Sequence, residues 1–157
     1  MDSNQPSEQP ELLLFKAIVE QTPDAIIFAD RDGVIRVWNR GAAAVFGFSA
    51  AEAIGSSLDI IIPERFRCAH WEGFRNAMES GHTRHGDYLR TTRSTHQDGR
   101  KLYVDLSFGL VTSGAGLVVG SVAVGRDCTA RYLAQSAGCA GLTELERQAN
   151  EGLDETL

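Results

Sequence analysis

The chain has 157 residues, 43% hydrophobic and 23% charged, with a net charge of -6. This is the balance of a globular domain with a core and terminal extensions, and its 15 Lys and Arg form no basic run of the kind a nucleic-acid partner requires. No apolar stretch approaches the roughly 20 residues of a membrane span, MDSNQPSEQPE lacks the character of a signal peptide, and three cysteines without a CxxC spacing (Cys68, Cys128, Cys139) fit a reducing cytoplasm and argue against a cysteine-pair zinc site.

Residues 1–10 are polar and proline-containing, the composition of a disordered terminus. Residues 11–21 (ELLLFKAIVEQ) read as a helix apolar on most sides, which must dock on the domain's own sheet or on a second subunit. Residues 24–30 and 34–39 read as strands joined by Arg31-Asp32-Gly33, a hairpin signal. Asn39 is placed to cap a helix over 40–46 that Gly47 stops. Ser49-Ala-Ala-Glu52 matches a capping box and opens a short helix closed by Gly55. Residues 58–62 are a buried apolar run, either a helical turn or a short extended piece. The spacing then predicts a helix over 63–81, stopped by Gly81. Phe66, His70, Gly73, Phe74 and Ala77 fall on one face of it, so His70 stands in an apolar stripe where an imidazole needs a partner. That partner is a hydrogen bond to backbone or water, or a metal.

After Gly81 the period changes to two. Residues 83–95 read as a strand, 96–99 as a turn, and 100–111 as the next strand. In the latter, Leu102, Val104, Leu106, Phe108 and Leu110 form an apolar face, while Tyr103, Asp105 and Ser107 point the other way. A turn at 112–115 leads to a strand at 117–124. Arg126-Asp127-Cys128-Thr129 marks the exit, 131–135 begin an outgoing helix, and the acidic, glycine-interrupted remainder reads as tail. The expected plan is a terminus (1–10), a helix (11–21), a folded domain (22–130) and a linker or tail (131–157). Its fold class is α+β: a five-stranded antiparallel sheet with short helices over one face and a natural ligand cavity between.

At this point the residues resemble a PAS domain. Residues 24–39 are similar to its opening hairpin and 39–48 (NRGAAAVFGF) to the helix that follows. Glu52-Ala-Ile-Gly55, Asp98-Gly99-Arg100 and the Asp127-x-Thr129 exit are further landmarks, over about residues 12–133. The Gly-Arg-Asn-Cys motif of the flavin-binding, light-sensing branch is absent. A closer resemblance is to the haem-binding PAS domain of rhizobial oxygen-sensor kinases of the FixL type, which aligns without a gap over 63–99. It implies haem b as cofactor, with the proximal iron ligand at His70. The arginine that contacts bound oxygen falls at Arg90, and apolar residues over the haem fall at Leu106 and Phe108. Arg84 and the glycine at 81 also match, and Gly73 removes a side chain where the porphyrin edge must approach. A family of direct-oxygen-sensing phosphodiesterases likewise has an arginine twenty residues after its proximal histidine. The departures are Asn76 in place of the propionate-binding arginine, with Arg75 adjacent, and His85 and Tyr88 in place of apolar residues. Tyr88 could donate a second hydrogen bond or fill ligand space, and His85 could supply a sixth ligand.

Each residue also has a plainer reading. His70 on its own reads more simply as an ordinary buried histidine, since histidine at this helix position also occurs in PAS domains without haem, and Arg90 as a surface arginine paired with an acid. Tyr88, Arg90 and Thr92 alternate onto one face, either solvent-facing or the polar edge of a pocket. His82, Arg84, His85 and Arg93 make a locally basic strand, His96 reads as exposed, and Trp38 and Trp71 as packing residues; Cys68 has no role. No catalytic constellation stands out. The expected function is a cytoplasmic, non-enzymatic haem-binding gas sensor for oxygen, and also carbon monoxide or nitric oxide. It would form a homodimer through the N-terminal helix and act on an output domain or partner protein. The alternatives are a haem-free PAS module for dimerisation or protein interaction, and a receptor for a small anion.

Overall fold

The hairpin turn predicted at Arg31-Asp32-Gly33 forms because Asp30 Oδ1 accepts the backbone N–H groups of Asp32 and Val34, while Gly33 takes the left-handed φ of 76°. It joins β1 (Ala25–Asp30) to β2 (Ile35–Trp38). The computed structural model describes residues 8–84 and 88–151, with side chains for 9–84 and 88–141.

The preceding helix, α1, spans Glu8–Gln21. It therefore takes in residues 8–10, expected as disordered terminus, because Pro10 falls in the first turn, where its missing N–H costs nothing. After β2 come α2 (Arg40–Phe46), α3 (Ala50–Ala53), a 3-10 turn over Leu58–Ile60, and α4 (Glu64–Ser80). The caps at Asn39, Gly47, Ser49 and Gly81 are those the sequence predicts, whereas α3 ends at Ala53 with Ile54, not Gly55, as its C-cap. Asn39 accepts from Ala42 N, Ser49 and Glu52 form a reciprocal capping box, and Gly47 and Gly81 end α2 and α4 in the left-handed conformation. The 3-10 turn decides the open reading at 58–62, with Ser57 as its cap.

The remaining strands are β3 (Arg90–Thr95), β4 (Lys101–Thr112) and β5 (Val118–Asp127). The five strands form one sheet in the order β2-β1-β5-β4-β3, antiparallel throughout. β3 is shorter than the expected 83–95: Tyr88 and Leu89 precede it, and 85–87 lie outside the described residues. β5 extends three residues past 124 because it pairs with β1 as far as Ala25 and with β4 as far as Val104. One face carries the core, in which Ala25, Ile27, Ala29, Leu102, Val104 and Leu106 of the strands meet Phe46, Leu58, Phe74 and Met78 of the helical segments.

The chain divides into two compact units, Met1–Asp127 and Cys128–Leu157. The second contains α5 (Thr129–Glu151), a single 23-residue helix. Residues 136–151, read as tail, thus continue the helix begun at the exit. Gly138 and Gly141 weaken it by about 1 kcal/mol each without breaking it.

Candidate functional site

Helix α4 has Pro63 before its first turn and buries Phe74 and Met78 most deeply. Arg67, His70, Trp71 and Ala77 are half-buried beside them, whereas Phe66 and Gly73 are exposed. The covered face is therefore rotated by about one residue from the predicted stripe, because Trp71 and Met78 occupy it in place of Phe66 and Gly73. His70 keeps its place on it. Its ring packs against Trp71 and Phe74, with centroids 4.9 and 6.0 Å away. Burial pushes the imidazole below its usual 6.5, against the opposing pull of the Asp59 carboxylate, so the ring is neutral at neutral pH. Its Nδ1 is buried and has no hydrogen-bond partner among the described residues.

Opposed residues of an antiparallel ladder share a face. Arg90 pairs with Leu106, Thr92 with Val104 and Ser94 with Leu102. Leu102, Val104 and Leu106 are buried, so Arg90 belongs to the core face of the sheet, at its β3 edge, with its side chain exposed. On the same face, Leu106, Phe108 and Leu110 stand opposite Gly125, Ala123 and Ser121. The sheet thus presents bulky apolar groups on β4 beside small ones on β5. Arg90, Leu106 and Phe108 are brought onto one face, whereas Tyr88, outside the strand, is 79% exposed. Arg84 lies exposed in the turn after α4, and Gly73 on the open side of that helix, where an added Cβ would meet nothing within 4 Å.

The locally basic strand does not form one surface. Arg93 pairs with Tyr103 on the opposite face from Arg90, His82 folds back on Ser80, and His85 lies outside the described residues. His96 is a correction. Its side chain is only 14% exposed, because the ring lies against Gly47 while the next residue, Gln97, bonds Phe46 O and Glu52. Trp38 and Trp71 are packing residues as expected, but Trp71 also donates to Asp59 Oδ1 at 2.8 Å. Position 71, three residues before Phe74, could have signalled that packing; Asp59 carried no such signal. None of the three cysteines is in a disulfide, and among the described residues no cluster of three or more His, Cys, Asp or Glu could hold a bare metal ion. Among them, too, no helix is long and apolar enough to cross a membrane.

The PAS fold family model matches residues 13–128. The chain belongs to the PAS family. Its PAS segment is 29% identical over 99 residues to the sensor protein FixL of Bradyrhizobium diazoefficiens, covering 63% of this chain and 20% of that protein. It is 27% identical over 101 residues to the oxygen sensor protein DosP of Escherichia coli, covering 64% and 12%. The chain therefore spans a fifth or less of these curated relatives. Among solved structures, a PAS domain from Colwellia psychrerythraea superposes with a TM-score of 0.65 at 23% identity, over 76% of this chain and 98% of that one. An RNA-binding light-oxygen-voltage receptor gives 0.66 at 22%, over 88% and 40%. These two likenesses concern the fold alone.

Haem asks a PAS domain for one neutral imidazole on a covered helix face and an apolar wall opposite. The half-buried His70, its charged form disfavoured by burial and its Nδ1 without a partner among the described residues, fits the first demand, and the apolar face that Leu106 and Phe108 give to β4 is of the kind the second requires.

Proposed function

We propose that this PAS domain is a haem-binding gas sensor that binds oxygen reversibly and also takes carbon monoxide and nitric oxide. The observation that carries the reading is His70, a neutral imidazole in an aromatic, covered setting whose Nδ1 is buried without a partner among the described residues. The similarity to FixL and DosP supports it. Haem supplies an iron that binds diatomic gases. His70 would hold that iron, and Leu106 and Phe108 would wall the opposite side. Arg90, on their face at the sheet edge, carries a permanent donor that favours a gas drawing negative charge onto itself. Arg84, Tyr88 and Gly73 would stand at the rim. The domain acts as a sensor rather than an enzyme, in the cytoplasm, and passes its state through Asp127–Thr129 to an output domain or partner protein. It pairs with a second copy through α1.

Visible spectra of the haemin-reconstituted protein under reduced, oxygenated and carbon monoxide conditions test this. The expected result is a strong Soret band that moves with each gas, and its loss of normal ligation in His70→Ala. A protein that takes up no haemin sinks the reading. It would leave a haem-free dimerisation module, which the exposed Leu12, Leu13, Leu14, Phe15 and Ile18 of α1 favour.

A further inference from the structure

Three rings meet on the covered face of α4. The His70 and Trp71 centroids lie 4.9 Å apart with their planes at 80°, and those of Trp71 and Phe74 lie 5.5 Å apart at 76°. Consecutive helix residues point about 100° apart. His70 and Trp71 therefore meet because both rings turn toward Phe74. Trp71 is held at two points. Its indole N–H donates to Asp59 Oδ1 at 2.8 Å, and its six-membered ring lies on Gly33, where a Cβ would stand 2.2 Å from Cη2 and Cζ3. Asp59 is fixed in turn. Its backbone N–H donates to Ser57 Oγ, and Arg67 donates to its backbone carbonyl at 3.1 Å. The indole is thus clamped between the β1–β2 turn and the 3-10 turn. A metal-binding histidine commonly has its ring set by a hydrogen bond from the second nitrogen. Among the described residues no hydrogen bond sets the His70 ring through its buried Nδ1, and the ring is held by its contacts with Trp71 and Phe74, the former edge to face.

We propose that Trp71, clamped by Asp59 and Gly33, is a positioning residue that sets the orientation of the His70 imidazole for haem. The inference rests on the haem reading above. Its test uses the full chain with isotope-labelled histidine, first without haem and then titrated with haemin. Trp71→Leu and Asp59→Ala are expected to move the His70 ring resonances and to weaken haemin uptake about tenfold. Asp59→Asn keeps an oxygen acceptor for the indole N–H and should restore both. Trp38→Phe, a core substitution elsewhere, should lower thermal stability without moving those resonances. Unmoved resonances in Trp71→Leu and Asp59→Ala, or equal movement in Trp38→Phe, overturn the role. If the wild type binds haemin and these two variants bind it as tightly, only the Trp71 inference fails. A wild type that takes up no haemin removes the haem reading and this role together.

Discussion

His70 and Arg90 differ in burial. Burial holds the His70 imidazole below 6.5 even with Asp59 nearby. Between that lowered value and 6.5, the unfolded chain binds a proton that the folded chain refuses. The haem-free protein is therefore expected to keep its full stability above 6.5 and to lose it as the pH falls through this window. Denaturant midpoints measured between about pH 7 and pH 5 should show the loss, and His70→Leu should flatten it. Arg90 stays exposed at a sheet edge. If it serves the gas, Arg90→Ala should speed oxygen release by about tenfold or more, the worth of one charge-assisted hydrogen bond. Carbon monoxide release, measured by the same flash or mixing method, should change much less. Equal effects on the two gases reject the role.

Among the elements, the joint between α1 and the sheet depends on one buried amide. Asn39 Oδ1 accepts from Ile26 N at 2.8 Å and Ala42 N at 2.9 Å, while Nδ2 donates to Val19 O, Asp24 O and Thr22 O. It therefore caps α2, holds the start of β1 and fastens the end of α1 at once. Asn39→Ala leaves those backbone groups unpaired in a buried site, and should cost about 3 kcal/mol. Thermal unfolding checks the figure; a cost near that of an isolated surface cap, about 1 kcal/mol or less, would show that α1 is fastened by other contacts. The cap was readable from Asn39 before a helical run, but the reach to Val19 was not. A capping motif is local, whereas that bond joins residues twenty apart.

For the whole molecule, the apolar stripe of α1 sets the expected assembly. Leu12, Leu13 and Leu14 are all more than half exposed within one chain, as are Phe15 and Ile18. Pairing with a second copy would cover them. Sedimentation of the full chain should show a dimer, and the double variant Leu14→Glu, Phe15→Glu should sediment as a monomer with its PAS fold intact by circular dichroism. A wild type that is monomeric at high micromolar concentration counts against the pairing.

The PAS fold was legible in local signals. Alternation in β4, the Asp-Gly turns, the Asn39 and Ser49 caps and the glycine stops each act within a few residues, where sequence and backbone are tied directly. The identity of β3 as an edge strand starting at Arg90, the rotation of the α4 face onto Trp71 and Met78, and the covering of His96 by Gly47 were decided by tertiary structure. Each depends on which distant backbone approaches: Leu106 for Arg90, Gly33 and Asp59 for Trp71, and Gly47 for His96. Sequence periodicity could place His70 on the covered face, because four-residue spacing is a property of the helix alone. The aromatic clamp around it comes from two turns that meet α4 only when the chain is folded.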